Sequence, residues 1–227
     1  MSDRALQAQL PGGARALFTT RAQGNLSLSA GDGHEQGRAR RDQLAHELGL
    51  RWLCASPQVH ASDVQRIRAV SAGAGEPVRE PADGHATALP KVGVMALAAD
   101  CMPVAIAAGG AVAMVHAGWR GLAAGVLEEG VRAVRELGGA GPAAAVIGPA
   151  AGVCCYEVGP EVHQALGPAH GRGRHIDLGA VARERLLAAG VARVDRIEAC
   201  TICDERFFSY RREGAAAGRQ GGIAWLS

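Results

Sequence analysis

The stretch from Val92 to Ala117 constrains this chain more than any other. It is almost continuously apolar, yet Asp100, Pro103 and the Gly109-Gly110 pair interrupt it. A membrane span needs about 20 uninterrupted apolar residues, so the run divides instead into strands at Val92–Ala98, Val104–Ala107 and Ala111–His116. These strands are apolar throughout rather than alternating, which predicts sheets covered on both faces. Ala143–Ile147 and Val194–Ala199 read as further strands. Helical spacing appears at Arg38–Leu50, with Leu44, Ala45 and Leu48 on one face, and at Gly121–Leu137, with Leu122, Val126, Val131 and Val134. A third helix is predicted over Leu178–Ala189, with Asp177 as its N-cap and Gly190 just past its end. Strands and helices do not alternate strictly, so the pattern predicts a mixed α and β fold and goes no further.

At 227 residues the chain is expected to form one domain over residues 1–227, with a core that needs no disulfide or metal to hold it. The Gly- and Pro-rich patches at Gly31–Gly33, Ala72–Gly84, Gly138–Pro142 and Gly167–Gly173 are short enough to be loops. Basic and acidic residues, 24 against 22, leave a net charge of +2 without long runs of one sign. Nucleic acid and membrane surfaces are therefore not expected partners. Lys91 is the sole lysine, and an arginine excess of this kind reads as genomic base bias, so no single arginine signals function on its own. Six cysteines are too sparse for a disulfide scaffold, and Met1–Gly13 has no signal-peptide pattern. The expectation is a soluble, cytoplasmic protein.

Three segments hold the potential metal ligands: Gln58-Val59-His60-Ala61-Ser62, Ala99-Asp100-Cys101-Met102-Pro103, and His116-Ala117-Gly118-Trp119-Arg120-Gly121. Two imidazoles and a thiolate suit Zn²⁺ with a fourth position left for water, which such a metal makes acidic. Spacing alone is a weak argument, because a core cysteine and two incidental histidines would look the same. The Cys200-Thr201-Ile202-Cys203 pair lacks the His-x-Glu and Pro-Cys of a zinc nucleobase deaminase, which excludes that class. Cys200, Cys203 and the adjacent Cys154-Cys155 are expected to be buried reduced thiols, although redox activity stays open. Arg206, Arg211, Arg212 and Arg219 surround Phe207-Phe208-Ser209-Tyr210, a mixture that suits a phosphate or a stacked base as well as a solvated edge.

Together these segments resemble the bacterial laccase-like polyphenol oxidase family, understood as purine nucleoside phosphorylase and adenosine deaminase enzymes, which includes a peptidoglycan-editing factor. The resemblance runs nearly end to end. It rests on Phe18-Thr19-Thr20-Arg21, Asn25-Leu26-Ser27-Leu28, Gln58-Val59-His60, Ala99-Asp100-Cys101-Met102-Pro103, the His116–Gly121 motif, Ile147-Gly148-Pro149, Cys155-Tyr156-Glu157-Val158-Gly159 and Phe207–Arg212 followed by Gly218-Arg219-Gln220. It implies a four-layer αββα sandwich with His60, Cys101 and His116 as zinc ligands. It implies phosphorolysis of adenosine, inosine, guanosine or methylthioadenosine, and adenosine deamination, by a monomer or homodimer whose partners are a purine nucleoside and phosphate. Asp100, Cys101 and Arg120 are then the expected catalytic residues, and Arg21, Asn25, Glu157, Arg211 and Arg212 the expected substrate-binding ones. The sequence departs from the family at Ala61, in the short Arg21–Asn25 stretch and at Arg38-Ala39-Arg40-Arg41.

Three rivals use the same residues. A multicopper oxidase needs many histidines in His-x-His pairs; the chain has eight histidines and no such pair, although a single Cu²⁺ in the zinc position stays open. A hydrolase acting on peptidoglycan precursors would use Cys101 as its nucleophile with His60 or His116 as base. A metal-stabilised binding domain would turn nothing over.

Overall fold

The structure is a computed structural model that describes residues 5–29, 34–70 and 80–227. The Gly31–Gly33 loop and most of the Ala72–Gly84 loop expected from sequence lie outside the described residues. In chain order the elements begin with β1 (Leu6–Gln9), β2 (Ala14–Phe18), α1 (His34–Glu47), β3 (Trp52–Cys54), β4 (Val64–Ile67) and β5 (Gly84–Thr87). Then come β6 (Val92–Ala98), β7 (Met102–Gly109), β8 (Ala111–Ala117), α2 (Trp119–Ala124), α3 (Val126–Glu136) and β9 (Ala140–Ile147). The chain continues with α4 (Pro160–Leu166), the short pair β10 (Gly171–Arg172) and β11 (His175–Ile176), α5 (Leu178–Ala188), β12 (Val191–Arg196), α6 (Tyr210–Glu213) and β13 (Gln220–Leu226).

The strands build two mixed sheets, one ordered β1-β2-β13-β6-β3 and the other β12-β9-β7-β8-β5-β4. The apolar runs split their side chains between two cores. On β7, Met102, Val104, Ile106 and Ala108 face the helices α3 and α5, while Ala105 and Ala107 pack with Val92, Val94 and Ala96 of the other sheet. On β8, Ala111, Ala113 and Val115 take the first direction, Val112 and Met114 the second. The other sheet is covered on its outer side by Leu44 and Ala45 of α1, against Leu17, Met95 and Ile223. The layers run helix, sheet, sheet, helix, so the fold is the four-layer αββα sandwich. Each fully buried aliphatic side chain contributes about 1.5–3 kcal/mol, and strands apolar on both faces supply many of them.

The helix expected over Gly121–Leu137 is instead two helices. Gly125, with φ of 89°, caps α2 in the left-handed region and starts α3. The break turns Leu127, Val131 and Val134 onto the sheet, while Glu128 and Glu129 sit favourably at the new N-terminus. The first helix begins four residues before its expected start and stops at Glu47. Helix α5 follows its expectation, with Asp177 Oδ1 accepting from the Ala180 amide at 3.1 Å and Gly190 left-handed beyond it. The last expected strand, Val194–Ala199, is displaced: β12 pairs in parallel with β9 over Val191–Arg196, where its exposed outer residues hid it from an apolar count.

Candidate metal centre and cleft

Cys101 sits where the chain leaves β6 in one sheet and enters β7 in the other. The link between β3 and β4, which carries His60, makes the same passage, and His116 is the penultimate residue of β8. Both links require unusual backbone: Asp100 and His60 take left-handed φ values of 88° and 60°. The donor atoms of His60, Cys101 and His116 all lie within 4.8 Å of one another. His60 Nε2 is 3.9 Å from Cys101 Sγ, and the two imidazoles meet edge to face at 4.9 Å between centroids.

Asp83, which sequence reasoning missed, organises the centre. Its Oδ1 lies 2.8 Å from His116 Nδ1 and accepts from the His60 amide at 2.9 Å; its Oδ2 accepts from the Val59 and Ala61 amides at 3.1 and 2.8 Å. One buried carboxylate thus fixes the His60 turn and the tautomer of His116, whose Nε2 is left for a ligand. Burial pushes the Asp83 carboxyl up, but His116 and the amides outweigh it and hold it below the ordinary value. Burial also opposes charge on Cys101 and His116, yet each favours the charged form of the other, so the thiol is lowered and the imidazole raised. Two nitrogens and a thiolate that close together suit a soft-to-borderline divalent cation. Gly118 makes the space, since a Cβ there would lie 2.9 Å from Cys101 Sγ and 3.2 Å from His60 Cδ2.

The three donors open into a cleft of about 620 Å³ lined also by Ser27, Trp119, Arg120, Tyr156, Arg211 and Arg219. That size lies within the roughly 300–1,000 Å³ of small-molecule sites. Arg120 stacks over Trp119 at 4.4 Å, Arg211 over Tyr156 at 4.9 Å, and Arg219 donates to the Ala217 and Gly218 carbonyls. Among the described residues none of these three arginines has a carboxylate partner.

The other expected site residues stand differently. Asp100 is buried beside Cys101 and accepts from Thr201 Oγ1 at 2.7 Å, Ser209 Oγ at 3.1 Å and the Arg211 amide at 2.7 Å, joining three segments. Arg21 and Arg212 do not line the cleft: both bind Glu213 and the Phe207 carbonyl, and Arg212 adds the Thr201 and Ile202 carbonyls. Asn25 is buried behind the cleft wall, its Oδ1 accepting from the Ser27 and Arg219 amides at 2.9 and 2.8 Å. The Glu157 side chain pairs with Arg174 at 2.5 Å, while its carbonyl accepts from Arg211. Cys154 and Cys203 are exposed and Cys155 and Cys200 half-buried, so the expectation of four buried thiols is corrected: the turns that carry them lie at the surface.

The sequence profile described as multi-copper polyphenol oxidoreductase laccase matches residues 12–227. A purine nucleoside phosphorylase of Xylella fastidiosa is 37% identical over 241 residues, covering 95% of this chain and 88% of that protein. An adenosine deaminase from an unknown prokaryotic organism is 33% identical over 243 residues, with 91% and 92% covered. Among solved structures, a Neisseria meningitidis protein superposes with a TM-score of 0.84 at 33% identity, covering 99% of both chains. YlmD from Geobacillus stearothermophilus gives 0.82 at 32% identity, over 94% of this chain and 92% of that one. With a profile match over nearly its whole length and relatives of this similarity, the chain belongs to the multi-copper polyphenol oxidoreductase laccase family.

Proposed function

We propose that this chain is a zinc-dependent purine nucleoside enzyme, which cleaves adenosine, inosine, guanosine or methylthioadenosine with phosphate and deaminates adenosine. The observation that carries the reading is one cleft holding both the His60–Cys101–His116 donor set and three arginines that have no carboxylate partner among the described residues. The names of the relatives in Xylella fastidiosa and the unknown prokaryote support the substrate class.

Zn²⁺ held by His60, Cys101 and His116 supplies a Lewis acid. The chain's own residues do the rest. Arg120, Arg211 and Arg219 hold the phosphate for attack on the anomeric carbon, a task that suits guanidinium forks left unneutralised. Trp119 and Tyr156 offer ring faces to the base, and the Tyr156 phenol, which burial pushes up from an already high value, is a donor. Asp100 is a positioning residue: by holding the Arg211 amide, Ser209 and Thr201 it sets where the Arg211 side chain enters the cleft. Arg21, Asn25 and Arg212 act the same way, tying the C-terminal segment to the cleft wall rather than touching substrate. Glu157 contributes its carbonyl to Arg211.

The test is a turnover screen of metal-quantified protein against adenosine, inosine and methylthioadenosine, each with and without phosphate. Loss of both activities in Cys101→Ala and in His116→Ala is expected. Turnover that survives chelation and is blocked by alkylating Cys101 would instead establish a thiol nucleophile.

A further inference from the structure

Away from the three donors just described, the two turns that follow β9 and β12 bring four sulfurs together. Cys154, Cys155, Cys200 and Cys203 come from a Cys-Cys pair and a Cys-x-x-Cys pair nearly fifty residues apart, yet their Sγ atoms all lie within 4.8 Å of one another. Cys155 and Cys203 are 2.8 Å apart, Cys154 and Cys203 3.4 Å. A tetrahedral ion with Zn–S bonds of about 2.3 Å sets its sulfurs about 3.8 Å apart, an edge that falls between the 2.8 Å of the nearest of these pairs and the 4.8 Å within which all four lie. Neither the 2.8 Å nor the 3.4 Å separation is that of a disulfide bond, about 2.05 Å, which would use the thiols in pairs.

The backbone around them is built for this arrangement. The turns are bridged by Ala150 pairing with Cys200, with the Thr201 amide donating to the Ala150 carbonyl at 2.9 Å. The Gly152 amide donates to Cys200 Sγ at 3.2 Å, an interaction that steadies a thiolate. Gly152 also leaves the sulfurs room to converge: a Cβ there would crowd Cys154 Sγ and Cys200 Sγ, each at 3.3 Å, and Cys200 Cβ at 3.1 Å.

We infer that Cys154, Cys155, Cys200 and Cys203 form a second, closed tetrathiolate site for a divalent cation of the zinc type. Four protein sulfurs leave no position for water or substrate, so the site is structural. Binding displaces the thiol protons to the buffer and involves no oxidation. Its position gives it a purpose. Cys155 precedes Tyr156 of the cleft, and Thr201, between Cys200 and Cys203, donates to Asp100 while its carbonyl takes Arg212. The ion staples the wall that carries Tyr156 and Arg211. This inference does not depend on the nucleoside reading.

Metal counting on the full chain tests it. Protein purified under reducing conditions and saturated with Zn²⁺, then desalted, is expected to hold two ions; Cys154→Ser with Cys203→Ser is expected to lose one, and Cys101→Ala the other. A Cys154→Ser/Cys203→Ser protein that keeps the full complement overturns the proposal. Because that variant can misfold, Co²⁺ is also titrated into Cys101→Ala, in which Cys154, Cys155, Cys200 and Cys203 are all intact. One equivalent showing the thiolate charge-transfer and tetrahedral ligand-field bands supports the site, as does protection of Cys154 and Cys203 from alkylation. Absence of the bands, or an intact mass two hydrogens lighter per bridge with those thiols consumed, overturns it in favour of no site or of disulfides.

Discussion

Replacing Asp83 by asparagine probes the centre most directly, because it keeps the volume and removes the charge. The carboxylate serves four donors, two on each oxygen: the His60 amide and His116 Nδ1 on one, the Val59 and Ala61 amides on the other. An asparagine carbonyl can serve only one pair, and whichever way the amide turns, its NH₂ faces the other two donors. A buried donor left unsatisfied costs about 1–3 kcal/mol. The cost to folding should fall near the lower end, about 2 kcal/mol for the pair, because each pair includes an exposed residue, His60 or Val59. Exchanging the charged acceptor that orients a ligating histidine for a neutral oxygen or an NH₂ weakens metal binding about 10–100-fold, or about 1.4–2.8 kcal/mol. Competition with a chromophoric chelator for Zn²⁺ reads the second effect, and urea unfolding of the metal-free protein the first. Asp83→Asn that holds Zn²⁺ within twofold of the wild type, and unfolds at the same urea concentration, would falsify the role assigned to this carboxylate.

Burial holds His85 down at about 4, against an ordinary value of 6.5. The unfolded chain therefore takes a proton that the folded one refuses, and stability should fall as pH drops from 6.5 to 4, by about 3 kcal/mol in all; urea unfolding across that range should be visibly flatter for His85→Gln. Gly118→Ala places a methyl group against Cys101 Sγ and His60, so Zn²⁺ affinity should drop at least tenfold while the melting temperature of the metal-free protein stays within a few degrees; equal affinity would show that the donors have room to spare. Arg120→Gln should lower phosphate affinity at least tenfold without destabilising the fold. Arg21→Gln should do the reverse, costing about 1 kcal/mol through the lost Phe207 carbonyl and Glu213 contacts; phosphate titrations and thermal melts of both variants separate the two roles.

Those parts of the fold whose burial is written into consecutive residues were legible in the sequence. The runs now seen as β6 to β9 could be read because both faces of each strand are covered, and α5 because its cap and its terminal glycine are adjacent to it. The strand β13 was not legible, though it is central to its sheet. Its Gly221-Gly222 pair argues against a strand locally, yet a Cβ on Gly222 would lie 2.6 Å from Pro103 Cβ and 2.8 Å from Met114 Sδ. Gly222 is what lets the other sheet come close, while Gly221 makes room on the opposite face for Leu26. Asp83 was hidden for a related reason: its partners lie 22 to 33 residues away along the chain, and an aspartate beside a glycine looks like any turn. The arginines needed the structure to sort them. Composition made all of them equally unremarkable, and only the carboxylates beside Arg21 and Arg212, against none beside Arg120 among the described residues, distinguish scaffold from cleft.

Two of the three donors ride on spans that tie one sheet to the other, while the third is anchored in a single sheet. The spacing of the three donors is thereby geared to the thickness of the alanine-rich seam between the sheets. Swelling that seam by a methyl or two, far from any ligand, would spread the jaws before it unfolded the chain. The grip of these donors on an ion would thus register how tightly the two halves of the sandwich are pressed together.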